Sequence, residues 1–236
     1  MALAIVQARS GSTRLPGKVL SSILGRPLIL RLVDRVSTAT SLDAVVVATT
    51  AHDSDAELAA VLSAEGVEVR RGPVDDVLAR FMQVIDEFEP ETVVRLTGDN
   101  PLVDGATVDL VVAAHRESGA DYTTNGLSQR FPHGLNVEVF TAAALRRLAA
   151  LPLTVEEREH VTLGMLNRPE LFTLAAVTQQ EDRHELRWTV DLPDDLEWVR
   201  QIFARLHPVS ADFGQEDVVA LIGESPELRR TMSDAR

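Results

Sequence analysis

Residues 2–20 read ALAIVQARSGSTRLPGKVL, an apolar run that breaks at Ala8 into glycines, hydroxyl side chains, arginines and a lysine. The first seven, ALAIVQA (2–8), have the continuous apolar character of a strand buried on both faces. Working outward, the same kind of segment recurs as DAVVVAT (43–49), VEVRR (67–71), TVVRLTG (92–98) and ELRWTVD (185–191). Between these segments, 27–39 carries apolar residues at 28, 29, 32, 33 and 36, and 53–64, 75–88 and 105–118 each open near a Pro, Gly or Asp, as helices do. Strand alternating with helix predicts an α/β chain, a three-layer Rossmann-like fold on a mostly parallel sheet. After Ser118 the rhythm changes: DYTTN, the turn-rich GLSQRFPHG and the alternating LNVEVF predict a small antiparallel excursion, before helices return at 141–149, 155–167 and 194–206. We therefore expect one domain over 1–224, with an insertion and dimer contact at about 120–140, and a frayed tail over 225–236.

With 236 residues the chain is long enough to bury a sizeable core without staples, and having no cysteine it has no disulfide, thiolate nucleophile or Cys-ligated zinc. The opening apolar run is too short for a signal segment and no later stretch reaches the length of a membrane span, so the expected setting is cytoplasmic and soluble. The 23 Lys and Arg against 36 Asp and Glu give a net charge of −13, which opposes binding to nucleic acid or to an anionic membrane. Yet Arg9, Arg14 and Lys18 crowd one loop. A local cationic loop on an acidic chain suits a small polyanion, and a solvated basic loop is the alternative that charge alone leaves open.

That loop, QARSGSTRLPGK (7–18), follows the first strand, and ligands of open α/β sheets sit beyond the carboxyl ends of their strands. Glycine admits close approach of backbone N–H groups to phosphate, and Arg and Lys neutralise it. Neither common phosphate fingerprint is present. Gly11 and Gly17 are one residue too far apart for a P-loop, Lys18 is followed by Val19 rather than Ser or Thr, and no G-x-G-x-x-G follows the strand.

Two carboxylates fall at predicted strand ends: Asp99 in LTGDNPLVD and Asp191 in RWTVDLPDDLEWV. Such carboxylates, with substrate phosphates, are typical Mg²⁺ ligands. Asp194 and Asp195 read as charges favoured at a helix N-terminus, Asp104 as a helix cap, and Asp75 or Asp76 as a cap without need of a ligand. The six histidines, His52, His115, His133, His160, His184 and His207, show no H-E-x-x-H spacing and read mainly as surface or capping residues. Trp188 and Trp198 read as core.

Together IVQARSGSTRLPGKVL, VVVATT, RGPVDDVLARF, VVRLTGDNPLVD, FPHGLNVEVF, EEREHVT and LRWTVDLPDDLEWV, in order from residue 5 to about 199, resemble the cytidylyltransferase family that includes the CMP-Kdo and CMP-neuraminate synthetases, most closely its spore-coat polysaccharide F-type branch. The resemblance implies the nucleotidyltransferase version of the fold, CTP as substrate, Mg²⁺ as cofactor and a homodimer. It implies catalytic roles for Arg9, Lys18, Asp99 and Asp191, with the metal on Asp99 and Asp191. It implies that Ala8, Arg9, Ser12, Arg14, Lys18, Arg71, Gly72, Asp75, Arg80 and Asp99 contact the nucleotide, and that His133, Asn136, Glu138, Glu157 and His160 lie where the acceptor binds. The chain has GDNP and FPHGLN where that branch is expected to show GDCP and FPRGLD, which bears on the acceptor.

The reaction implied is in-line attack of an acceptor oxygen on the α-phosphorus of CTP with release of pyrophosphate, a chemistry of positioning and charge stabilisation with no covalent intermediate. The acceptor is expected to be small and anionic, a 2-keto sugar acid or another sugar, with Arg130, Arg158, Arg183 and Arg187 as candidate cations for it. A uridylyl- or guanylyltransferase, a transferase acting on a sugar phosphate or phosphonate, a glycosyltransferase and a non-catalytic nucleotide binder are the competing classes. The first two commonly open with an A-G-G-type loop, and a glycosyltransferase with D-x-D where this chain has T-G-D-N-P.

Overall fold

The computed structural model describes residues 1–234. Its centre is a seven-stranded sheet in the order β5-β4-β1-β6-β8-β7-β9, formed by β1 (Ala2–Gln7), β4 (Ala44–Thr50), β5 (Glu68–Gly72), β6 (Thr92–Thr97), β7 (Tyr122–Thr124), β8 (Glu138–Thr141) and β9 (Leu174–Ala176). β2 (Ser22–Ile23) and β3 (Arg26–Pro27) make a separate short hairpin. β1 pairs in parallel with both β4 and β6, and β4 with β5, whereas β8 runs antiparallel to β6 and β7. The expected α/β architecture and its antiparallel excursion are therefore both present.

Both faces of β1 are buried because its side chains alternate between two cores. Ala4 and Val6 join the cluster under α1 (Leu28–Val36), α2 (Ala56–Ala64), α4 (Gly105–Ser118), α8 (Pro193–Leu206) and α9 (Gln215–Glu224). Leu3 and Ile5 join the cluster under α3 (Val77–Phe88), α5 (Ala142–Ala149) and α7 (Leu163–Leu166). Among the described residues no helix is long and apolar enough to cross a membrane.

Three expectations need correction. Residues 185–191 join no named strand and enter only isolated bridges, Leu186 with Thr231 and Arg187 with His133. Their amides bond to loops: Trp188 N donates to the His133 oxygen at 2.7 Å, Arg187 N to the Arg230 oxygen at 3.0 Å and Val190 N to the Asp99 oxygen at 2.9 Å. The partners lie on separate turns, so no ladder propagates. Gly134, at φ 108°, makes the close approach possible, since a Cβ there would lie 2.5 Å from Thr189 N. The helix expected over 155–167 is two, α6 (Val155–Glu159) and α7, broken where Val161 takes φ 53°, a left-handed conformation costly for a β-branched residue. β9, α9 and the short hairpin had no sequence prediction.

The end of the chain is the third difference. A frayed tail was expected from residue 225, but the described part packs on α8: Leu228 is buried, its oxygen accepts Trp198 Nε1 at 2.6 Å, and Arg230 pairs with the buried Asp195 at 2.9 Å. Residues 235 and 236 of that expected tail lie outside the described residues. Burial of an apolar side chain and of a charged pair outweighs the usual fraying of a terminus. Leu228→Ala should lower unfolding stability by about 2–4 kcal/mol in a denaturant titration, against less than ~0.5 kcal/mol for a residue on a frayed tail.

Candidate active site

The carboxyl ends of β1 and β6 lie side by side, and Gly98 lets them do so: a Cβ at this position would lie 2.8 Å from Ala8 Cβ and 3.1 Å from the Gln7 oxygen. The loop that leaves β1 is tied down at once. Ser10 N donates to Asp55 Oδ1 at 2.6 Å, the Thr50 hydroxyl donates to the same carboxylate, and Gly17 N closes back on the Ser10 oxygen at 2.9 Å. Gly17, at φ 70°, then starts a 3-10 turn, Lys18–Leu20, that buries Val19 and turns Lys18 inward.

Lys18 Nζ lies 2.9 Å from Asp99 Oδ2, 3.1 Å from Asp191 Oδ1 and 2.7 Å from the Val190 oxygen. Asp191 is fixed from behind. The buried Asp195 carboxylate accepts its amide at 2.9 Å, that of Leu192 at 2.9 Å and the Arg187 guanidinium at 2.7 Å, so Asp195 is the helix-terminal charge expected and also the anchor of the metal candidate. Burial disfavours the ionised Asp191 carboxyl, but Lys18, Arg14 and Arg187 outweigh it and hold it below its ordinary value.

Two cavities adjoin here. The first, about 360 Å³, is lined by Ala8, Arg9, Ser12, Arg14, Lys18, Arg80, Asp99, His160 and Asp191 among others; the second, about 290 Å³, by Arg14, Arg95, Asp99, Asn100, His133, Asn136, Glu138 and Asp191 among others. Arg14, Thr97, Asp99 and Asp191 belong to both, so the lysine and its carboxylates stand at the boundary. The three positions that depart from the branch's expected motifs, Asn100, His133 and Asn136, all line the second cavity. Crowding by the surrounding protein and the Arg187 charge push His133 below the ordinary imidazole value, against the pull of Asp191 and Asp99.

Four residues named from the sequence lie outside both cavities. Arg71 spends its guanidinium on the oxygens of Thr50 and His52, at 3.0 and 2.8 Å. Gly72 is buried against Arg80, with a Cβ there 2.9 Å from Arg80 Cγ, and Asp75 is exposed while Asp76 caps α3 through Ala79 N at 2.8 Å. Glu157 closes a capping box with Thr154 and binds Arg168 at 2.6 Å. None of the four arginines considered for an acidic acceptor reaches either cavity: Arg130 binds the Gln180 oxygen, Arg158 pairs with Asp76, Arg183 with Glu216 and Arg187 with Asp195.

The sequence reading missed Glu159, which lines the first cavity and pairs with Arg9 at 3.8 Å. It also missed Arg95, which donates from Nε to Gln7 Oε1 at 2.9 Å and from Nη1 to Glu138 Oε1 at 2.6 Å. Glu138 completes the chain by accepting the Thr162 hydroxyl at 2.6 Å. An arginine inside an apolar strand was the available signal, since a charge there must find a partner.

The oxygen-only donor set of Asp99 and Asp191, already converging on one cation, fits a small hard divalent ion. Among the described residues no group of three or more His, Cys, Asp or Glu gathers as a metal centre, so remaining ligands would come from substrate or water.

Arg168, Asn167 and the Thr154 amide hold the Glu157 carboxylate down to about 2, so its stabilising contribution is present above the ordinary carboxylate range and is lost as pH falls toward about 2. Glu157→Gln should therefore unfold more readily than the parent at neutral pH, with the difference shrinking as pH drops from 5 toward 2 in matched thermal melts.

Residues 3–223 match the sequence profile of the cytidylyltransferase family. The spore coat polysaccharide biosynthesis protein SpsF of Bacillus subtilis (strain 168) is 33% identical over 232 residues, covering 95% of each chain. A cytidylyltransferase structure from Leptospira borgpetersenii superposes with a TM-score of 0.91 at 27% identity, covering 97% of this chain and 96% of that one. CMP:2-keto-3-deoxy-manno-octonic acid synthetase complexed with CTP, at 20% identity, shares the fold with a TM-score of 0.68, covering 86% of this chain and 98% of that one. With the profile match spanning nearly the whole chain, this protein belongs to the cytidylyltransferase family and is a nucleotidyltransferase.

Proposed function

We propose that this enzyme transfers CMP from CTP to a small sugar acid, in the presence of Mg²⁺, and releases pyrophosphate. The observation that carries the reading is the Lys18, Asp99 and Asp191 cluster at the boundary of the two cavities, where a nucleotide in one and an acceptor in the other would meet. In this reading Arg9, Ser12, Arg14 and Lys18 hold the triphosphate, and Ala8 and Arg80 lie toward the ribose and base. Arg80 supports this because its burial beneath the cavity leaves Nε without a protein partner.

Asp99 and Asp191 would hold Mg²⁺, which when bound neutralises charge that develops on the phosphate oxygens. The chain's own residues do the positioning. The acceptor oxygen attacks the α-phosphorus in line, and the leaving pyrophosphate faces Arg9, Arg14 and the Gly11 amide, since those of Ser10 and Ser12 are engaged within the loop. Fixed cations aimed at the leaving group are the main source of rate in phosphoryl-type transfer.

The acceptor sits among Asn100, His133, Asn136 and Glu138. Arg95 is 9% exposed and paired with Glu138, so a carboxylate on the acceptor would turn to Arg14, which pairs with Asp191 at 3.1 Å but is 62% exposed at the shared boundary. The fold neighbour that makes CMP-2-keto-3-deoxy-manno-octonic acid supports a sugar acid in this role. Homodimerisation through the excursion and a cytoplasmic setting are consistent with this reading and form part of it.

Pyrophosphate release assayed with CTP, UTP, GTP and ATP against sugar acids, sugar phosphates and neutral sugars should occur with CTP and a sugar acid. Release with another nucleotide only would overturn the assignment. Asp99→Ala and Lys18→Ala should each lower the rate at least about 100-fold with far-UV circular dichroism unchanged.

A further inference from the structure

The position of Lys18 conflicts with simultaneous occupation of the site by a metal ion. All three N–H donors of its ammonium are engaged, with Asp99 Oδ2 at 2.9 Å, Asp191 Oδ1 at 3.1 Å and the Val190 oxygen at 2.7 Å. The side chain is 9% exposed, against 30% for Asp99, so water does little to screen it. A divalent ion bound by the same two carboxylates would stand a few ångströms from Nζ, and two cations so close in a poorly solvated site repel strongly.

We propose that Lys18 is the resident counter-ion of the Asp99 and Asp191 pair, and that a divalent cation binds only in exchange for it, as Lys18 withdraws to the triphosphate. The proposal rests on the reading of Asp99 and Asp191 as metal ligands. The exchange needs no backbone movement: four single bonds separate the ammonium from Cα's substituent, and Lys18 also lines the first cavity. In the resting enzyme the lysine bridges the two carboxylates, standing between Asp99 at 2.9 Å and Asp191 at 3.1 Å. Once phosphates enter, they offer the ammonium new acceptors, and the pair is freed for the metal that accompanies the nucleotide. The cation therefore enters with the nucleotide and not ahead of it.

The other cations near the pair do not play this part. Arg14 reaches only Asp191, at 3.1 Å, from an exposed position, and Arg187, bound to Asp195 at 2.7 Å, also reaches only Asp191 of the pair, at 3.3 Å.

The test is Mn²⁺ binding without nucleotide, followed by the loss of the free-ion electron paramagnetic resonance signal. Lys18→Met should bind Mn²⁺ at least about tenfold more tightly than wild type, and adding Asp99→Asn to it should abolish the gain. Arg14→Ala should stay close to wild type. Lys18→Gln carries the same expectation should the methionine variant fail to fold, and Mn²⁺ should raise the Tm of either variant but not that of wild type. Equal binding by wild type and Lys18→Met, dependent on Asp99, overturns the exchange while leaving the metal ligands in place. An equal gain in Arg14→Ala also overturns it, because the effect would then be one of net charge. Absence of Mn²⁺ binding in folded Lys18→Met and Lys18→Gln removes the assumed ligands, and the proposal with them.

Discussion

A buried ammonium must have its three donors met by oxygen, and in this chain the oxygens come from far away in sequence. Asp99, Val190 and Asp191 lie 81, 172 and 173 residues from Lys18. Much of the architecture around the sheet's carboxyl edge satisfies that requirement. β1 and β6 are neighbours, so the loop after one and the turn after the other share an edge. Gly98 removes the side chain that would hold them apart. The Val190 amide bonds to the Asp99 oxygen at 2.9 Å, which locks the two carboxylate-bearing segments to each other before the lysine is considered. Asp195 then converts a helix terminus into a fixed support for Asp191, and Arg230 brings the end of the described chain into the same network.

Charge is distributed with the same economy of partners. The chain carries a net −13, yet the cations facing the two cavities are few, and all but Arg80, which donates to the Pro73 and Val74 oxygens, meet a carboxylate: Arg9 with Glu159, Arg14 and Lys18 with Asp191, Arg95 with Glu138. In the resting state these groups neutralise one another. A polyanion with a divalent ion can redistribute the pairs without leaving a buried charge alone, which a cluster of bare cations could not do in the absence of ligand.

Much of this was legible in the sequence because it depends on local patterns. The runs at 2–8, 43–49 and 92–98 are largely apolar and 67–71 alternates Val with charged residues, and all four are strands of the parallel half of the sheet. The basic loop and the two Asp residues were legible because glycine, cations and carboxylates at strand ends carry a chemical meaning. What was not legible depends on partners. Residues 185–191 have the composition of a strand, but whether an extended segment becomes one is decided by what lies beside it, here three separate turns. Glu157 has the composition of a site residue, but Thr154 three positions earlier makes it a capping partner. Read that way, the T-x-x-E spacing at 154–157 could have excluded it, leaving Glu156 and Glu159 on that helix, of which Glu159 meets Arg9.

The two cavities are built from different parts of the chain, and this has a physical consequence for specificity. The first rests on the parallel strands and the loop tied to Asp55, elements whose positions are set by both cores at once. The second draws Glu138 from the one antiparallel strand and His133 and Asn136 from the turn before it, a turn held by Gly134 against residues 188–189. With the acceptor in the second cavity as proposed, substitution at His133 or Asn136, both exposed, would change which groups meet it while leaving the sheet, the lysine and the two carboxylates undisturbed. Glu138 is different, because it neutralises the buried Arg95 and receives Thr162, whose neighbour Val161 is in a left-handed conformation. On that proposed placement, acceptor preference would drift at the turn, but only within the limits that the Arg95 and Glu138 pair imposes on the cavity.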